Sequence, residues 1–218
     1  MKQMVRILCF TVMLIGIACS GVFAASLRDT PTAQISTAHY TDRNFDLSYP
    51  QVQMKDKKAE EKINGQIEAV MAAFRSTVRQ DMKQGGSIQA LVTYDIKMNH
   101  TGLLSLTLTE YTYADRAAHG MTYVKGMTFN TMGQLCDYSD VLKFAAVAKA
   151  EDVYNAAAVT KKLKLKAAKE GIMLNSDFQG IDKVTQEFYF DDAANLHILF
   201  QQYEAAPYAV GVIDLNMQ

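Results

Sequence analysis

Residues 56–86 read DKKAEEKINGQIEAVMAAFRSTVRQDMKQGG. Ile63, Ile67, Val70, Met71, Phe74 and Val78 recur at the three- and four-residue spacing of one helix face, while Lys58, Glu61, Lys62, Glu68, Arg75 and Arg79 take the other. Asp56 stands where a carboxylate can accept the unpaired amide hydrogens of a first turn. Gly85-Gly86 stops the helix. The spacing predicts an amphipathic helix over about 57–84. Each large apolar side chain on such a face stabilises the fold by about 1.5–3 kcal/mol once buried, so the helix requires a sheet to lie on.

The sheet is legible on both sides of it. Downstream, Ile88, Ala90, Val92, Tyr94, Ile96 and Met98 alternate with Gln89, Thr93, Asp95 and Lys97. Asn99-His100-Thr101-Gly102 is a turn. Leu104, Leu106 and Leu108 then alternate with Ser105, Thr107 and Thr109, and the run continues through Glu110 to Tyr113. After residues 114–120, Met121, Tyr123, Met127 and Phe129 oppose Thr122, Val124 and Thr128. This period of two predicts an antiparallel meander with one face toward the helix. Upstream, His39 to Tyr49 reads as a first strand ended by Pro50.

A second helical region is expected over about 140–170. Ser139 or Asp140 can cap a short helix through Ala148, and the Ala- and Lys-rich residues 151–170 end at Gly171. Lys161, Lys162, Lys164, Lys166 and Lys169 read as a solvated face with cations favouring the helix C-terminus, the alternative being contact with an anionic wall polymer. The chain closes with a strand over Glu187-Phe188-Tyr189-Phe190, a turn at 191–195, and Leu196, Ile198 and Phe200 alternating with an outward His197. Tyr203-Glu204-Ala205-Ala206-Pro207-Tyr208-Ala209-Val210-Gly211 follows as a rigid loop, because Pro207 fixes its own φ and keeps Ala206 out of the helical region. Val210 to Met217 is the expected last strand. The fold class is α+β: antiparallel sheet packed by one long helix and a second helical region. The expected division is 38–118 (β-α-β-β) and 119–218 (β-α-β-β-β).

Residues 1–24 have a charged start, an apolar run from Ile7 to Ala18 and small residues ending in Ala24, the pattern of a cleaved signal peptide. The run is short for a membrane span, so no stable span is expected after cleavage; lipidation at Cys19 is the alternative. Residues 25–37 read as a flexible lead-in. The expected place is therefore periplasmic or extracellular. The chain carries 22 Lys and Arg against 23 Asp and Glu, and Lys2 and Arg6 would leave with the signal. That balance disfavours nucleic acid, whose binding rests on many cationic contacts to phosphate. Cys9 and Cys19 would leave too, so Cys136 is not expected to form an intramolecular disulfide and is expected to be buried.

Motifs for chemistry are sparse. The spacings H-E-x-x-H, C-x-x-C and H-x3-H are absent, as are nucleophile elbows and phosphate-cradling glycine loops. No metal and no cofactor is expected. His119, between two strands and followed by Gly120, is the histidine best placed to meet a ligand; Tyr203, Glu204 and Tyr208 are the other binding candidates. Gly120, Pro207 and Gly211 are expected to shape the backbone around them. Tyr111, Tyr113 and Tyr123 can form an aromatic surface that stacks on sugars, or serve as cross-strand sheet stabilisers. A catalytic reading would pair His119 with Glu204 as acid and base.

Tyr49-Pro50 with Lys62-Ile63-Asn64 resembles the N-terminal region of PdaC-type peptidoglycan deacetylases. Ala118-His119-Gly120, Gly133 with Asp140, Phe188-Tyr189 and the Tyr203–Gly211 stretch resemble the external region of RsiV-type lysozyme-sensing anti-sigma factors. The resemblance covers about residues 40–217 and implies an α+β fold outside the cytoplasm, near peptidoglycan. It implies no catalysis, since the deacetylase chemistry resides in a separate metal-dependent domain. Sigma-factor binding is not expected either, because few residues precede the apolar run. The expectation is a non-enzymatic envelope protein that binds or senses a cell-wall glycan or a protein ligand, lysozyme entering only through the resemblance. The alternatives are an enzyme acting on envelope polymer through His119 and Glu204, and an accessory domain without ligand.

Overall fold

The computed structural model describes residues 31–140 and 154–218. The expected signal peptide, Cys19 and the short helix expected through Ala148 fall wholly or largely outside the described residues. In chain order the elements are β1 (Gln34–Thr41), β2 (Phe45–Gln53), α1 (Lys57–Gly85), β3 (Ile88–His100), β4 (Leu103–Ala114), β5 (Met121–Asn130), α2 (Ala156–Glu170), β6 (Phe188–Phe190), β7 (Leu196–Phe200), a 3-10 turn (Tyr208–Val210) and β8 (Ile213–Asn216). They build an α+β fold with a five-stranded sheet, order β1-β2-β3-β4-β5, and a three-stranded sheet, order β6-β7-β8.

The long helix forms as its sequence predicts. Asp56 Oδ1 accepts from the amides of Lys58 and Ala59 at 2.9 and 3.3 Å, and Gly86 ends it at φ 113°. Ile63, Ile67, Met71 and Val78 are buried against Leu47, Val92, Leu106, Leu108 and Phe129. One pairing departs from the expected all-antiparallel sheet: β2 and β3 are parallel, Phe45 to Leu47 lying beside Ala90 to Val92. Parallel neighbours need a long crossover, and α1 is that crossover.

The single strand expected at His39–Tyr49 is two. Asp42 Oδ1 accepts from the amides of Asn44 and Phe45 at 2.8 and 3.1 Å, a side-chain turn that reverses the chain between β1 and β2. Strand pairing reaches back to Gln34, into the stretch expected as a flexible lead-in. Pro50 lies within β2 instead of ending it. The parallel pairing stops at Leu47, so at Pro50 the strand has a neighbour only on its β1 side, and a missing amide hydrogen is tolerated on the side away from β1, to which the Val52 amide also points.

β5 completes the meander expected from its period of two: it pairs antiparallel with β4 from Leu103–Asn130 to Thr112–Met121 and ends the first sheet. Its outer edge is closed by side chains instead of another strand. Gln202 Oε1 accepts from the Thr122 amide, Gln201 brackets Val124 with both amide atoms, and Glu187 Oε2 accepts from the Gly126 amide at 2.8 Å. Beyond them the Cys136 amide donates to the Thr128 carbonyl at 2.8 Å. Cys136 is buried, as its apolar setting predicts.

The second sheet packs its Phe188, Phe190, Leu196, Ile198, Phe200, Ile213 and Leu215 on Val159 and Leu163 of α2. Asn155 caps α2, and Gly171 ends it in the left-handed conformation at φ 70°. On that helix Lys162 and Lys164 donate to the carbonyls of Gln218 and Gln179, and Lys166 pairs with Glu170. The two sheets meet over the side of β4 and β5 away from α1. Ser105, Thr107 and Thr128 are buried there. Ser105 and Thr128 share a hydroxyl hydrogen bond of 2.7 Å, and the Phe190 amide donates to Ser105 Oγ at 2.9 Å.

Candidate functional site

Three of the four binding candidates, His119, Tyr203 and Tyr208, converge beside the β4–β5 connection. The Tyr208 ring stacks on the His119 ring with centroids 3.7 Å apart and planes 22° from parallel. Its hydroxyl donates to the Gly120 carbonyl at 2.9 Å. Tyr203 stands next to Tyr208 at 5.8 Å between centroids, its hydroxyl 3.4 Å from His119 Nε2. Gly120 is required by proximity: a Cβ there would lie 2.3 Å from the Tyr111 ring. Tyr208, His119 and Tyr203 thus form an aromatic ridge, and Gly120, whose carbonyl accepts from Tyr208 and which lies against the Tyr111 ring, links Tyr111 to it.

The loop that carries the tyrosines is rigid for local reasons. Pro207 starts the 3-10 turn, and Val210 and Gly211 donate back to the carbonyls of Pro207 and Tyr208. Gly211 sits at φ 78°, a region that favours glycine. The last strand therefore begins at Ile213, not at Val210, because residues 208–210 are coiled. Ala205 and Ala206 are buried in the second core. Tyr203 is different. It holds φ 67° with a bulky side chain and is 51% exposed. A left-handed tyrosine is a real cost, and its ring is not repaid by burial.

Glu204 does not join the ridge chemistry. Its carboxylate accepts from the Gln201 amide at 2.7 Å. Burial holds its acid above the ordinary carboxylate range, and the neighbouring Glu187 adds to that. His119 Nδ1 lies 3.2 Å from the Gly120 carbonyl. Among the described residues no hydrogen bond joins His119 to Glu204. The three-tyrosine surface is split as well: register sets Tyr111 opposite Thr122 but Tyr123 opposite Glu110. Directly paired residues share a face, so Tyr123 lies on the other side of the sheet from Tyr111 and Tyr113. There its hydroxyl donates to Glu187 at 2.9 Å.

His197, expected to point to solvent, is the centre of a polar cluster. Its Nδ1 is 2.6 Å from Asp214 Oδ1 and its Nε2 3.3 Å from Asp191 Oδ2. The Tyr189 ring stacks on it at 4.5 Å, and the Tyr189 hydroxyl donates to Asp214 Oδ2. Lys97 of β3 sits over the Tyr189 ring at 5.3 Å and pairs with Asp95. His197 and Asp214 are far apart in sequence, so spacing carried no sign of this cluster; the pairing of β7 with β8 creates it. His100, expected in a turn, is likewise buried at the end of β3, with Nε2 3.0 Å from the Asp192 carbonyl.

Burial opposes charge on His197, but Asp214 and Asp191 outweigh it and raise the imidazole above its ordinary 6.5. Asp214 is held below its ordinary 3.8 despite burial, by hydrogen bonds from His197 and Tyr189. A raised imidazole stabilises fully below about 6.5 and loses that contribution as pH climbs through its folded value; a lowered carboxylate stabilises above about 3.8 and loses it as pH falls. The cluster therefore supports the fold most between those limits. Urea midpoints at constant ionic strength are expected to fall for the native chain from pH 6.5 to 9 relative to His197→Gln. Parallel curves would remove His197 as the cause.

Among the described residues no group of three His, Cys, Asp or Glu is arranged to hold a metal, and no helix is long and apolar enough to cross a membrane. A groove of about 670 Å3 runs between α2 and residues 179–182, lined by Thr160, Lys161, Lys164, Leu165, Gly180 and Ile181; none of the ridge residues borders it.

Fold and site together define an α+β class: two packed sheets carrying an aromatic ridge. Residues 38–122 match the family model described as Deacetylase PdaC, and residues 138–218 match that described as Protein of unknown function (DUF3298). The chain thus joins a PdaC-like region to a DUF3298 region. A DUF3298 family protein from Pseudomonas aeruginosa PAO1 shares the fold at TM-score 0.60 and 12% identity, over 88% of this chain and 92% of that one. A DUF3298 family member from Bacteroides fragilis NCTC 9343 does so at TM-score 0.54 and 15% identity, over 86% and 88%. No curated protein matches.

Proposed function

We propose that this protein is an exported, envelope-associated binding or sensing module without catalysis of its own, and that the ridge of Tyr111, Tyr208, His119 and Tyr203 is its contact surface. Its ligand is a cell-wall glycan or a protein met at the wall. The PdaC-like and DUF3298 regions support the envelope setting. The observation that carries the reading is Tyr203, a bulky left-handed residue whose ring stays in solvent beside a stacked His119–Tyr208 pair. Backbone strain of this kind is held by the surrounding structure, here by Asn175 on the Tyr203 carbonyl, and clusters at binding sites and ligand clamps. Catalysis is disfavoured because His119 and Glu204 are engaged with different partners.

The test separates binding from folding at one residue. Tyr203→Gly should relieve the left-handed cost of about 1 kcal/mol and leave the melting temperature equal or higher, while retention on insoluble peptidoglycan, or on lysozyme as second bait, falls at least tenfold. Tyr208→Ala should also lose retention, and its lost stacking and hydrogen bond should cost about 1–2 kcal/mol of stability. Native-like retention by Tyr203→Gly would remove the ridge as the contact surface. Absence of retention on either bait by the native chain would favour an accessory domain without ligand.

A further inference from the structure

The two edges of the five-stranded sheet are finished in opposite ways. Gln201, Gln202, Glu187 and the Cys136 amide satisfy the outer groups of β5. At the other edge, β1 pairs with β2 over eight residues, Gln34–Gln53 to Thr41–Asp46, with no register shift. Alternate amides and carbonyls of an antiparallel strand point away from its partner. Among the described residues, the backbone bonds of β1 all go to β2, and the bonds across from β3 reach only Thr32 and Ala33 before it.

Unpaired edges are ordinarily blunted by charge, proline or a bulge. The β1 sequence Gln-Ile-Ser-Thr-Ala-His-Tyr-Thr has no Lys, Arg, Asp, Glu, Pro or Gly, and its pairing is unbroken. Ser36, Thr37 and His39 are exposed, while Ile35 and Tyr40 pack on the first core. We infer that β1 is a self-association edge, at which a second copy of this chain adds its own β1 antiparallel to form one ten-stranded sheet. A second copy is the occupant that the composition fits. Two such strands related by a two-fold axis set no Lys, Arg, Asp or Glu opposite one another in any register, and the contact closes at two copies. Strand addition of this length buries little side-chain area, so the dimer is expected to be weak and concentration-dependent.

Sedimentation of the exported chain from low to high micromolar concentration at pH 7.5 tests this, with amide hydrogen exchange read in parallel. The expected result is a monomer–dimer equilibrium, with protection of alternate β1 amides rising with concentration. Ser36→Lys with His39→Lys places one cation on each face of the strand. It should weaken the dimer at least tenfold and leave the melting temperature of the dilute monomer unchanged. A chain that stays monomeric throughout overturns the inference, whether β1 amides are then open or protected by another segment of the chain. So does a dimer that the two lysines leave intact.

Discussion

Gly126→Val is expected to cost roughly 3 kcal/mol or more of unfolding free energy, and Gly126→Ala about 2 kcal/mol. A Cβ at Gly126 would lie 2.1 Å from the Phe188 carbonyl oxygen and 2.6 Å from its carbon and nitrogen. The obstacle is backbone, so no rotamer change relieves it. Either β5 or β6 must move, and with it the buried Ser105–Thr128 hydroxyl pair and the Phe190 amide that depends on it. The control has the opposite sign. Gly65, on the exposed side of α1, has nothing within 4 Å of a new Cβ, so Gly65→Ala should stabilise by about 0.5–1 kcal/mol through helix propensity. Urea denaturation of the pair decides. If both alanines move stability in the same direction, the close approach of the two sheets at Gly126 is not what holds them.

The second large effect belongs to Glu187. Its Oε2 accepts from the Gly126 amide at 2.8 Å, and its Oε1 accepts from the Tyr123 hydroxyl at 2.9 Å and from Lys125 at 3.4 Å. The side chain is 14% exposed. Glu187→Ala leaves an amide, a hydroxyl and an ammonium group without this acceptor in a largely dry setting, for an expected loss of about 3 kcal/mol. Glu187→Gln keeps an acceptor but no charge and should cost about half as much. The glutamine variant has a second readout. Burial holds Glu110 and Glu204 above the ordinary carboxylate range, and Glu187 reinforces both shifts. Carboxyl resonances followed through an acid titration should show both midpoints falling in Glu187→Gln. Unmoved midpoints would mean that burial alone sets them.

The contrast between expectation and structure is clearest along β4 and β5. Leu104, Leu106 and Leu108 announced a strand and its buried face; Ser105, Thr107 and Thr128 looked like the solvent face and are as deeply buried. Small hydroxyl residues read as polar, yet they pair with each other and with the Phe190 amide, and so line the contact between sheets. The same limit applies to His197. Alternation placed it correctly on the side opposite Ile198, but that side faces Asp214, Asp191 and Lys97 rather than water. At the ridge, His119, Tyr203 and Tyr208 were candidates from the sequence and do converge. Tyr111 was also noticed, but grouped with Tyr113 and Tyr123; register puts Tyr123 on the opposite face, and the Tyr111 ring lies instead against Gly120, whose carbonyl accepts from Tyr208.

By itself the sequence determined what local physics governs. Asp56 and Gly86 bound α1 and Gly171 ends α2. The period of two made the β3–β4–β5 meander, and Pro207 with Gly211 stiffened the loop before the last strand. Each follows from backbone preferences and hydrogen bonds reaching only a few residues. Only the tertiary structure decided that β2 lies parallel to β3, that the second sheet covers the polar face of the first, and that β1 is the edge strand left without an outer partner among the described residues. Those outcomes depend on which distant strands pair, and that choice is made by the burial of whole faces, a quantity no short window of sequence contains.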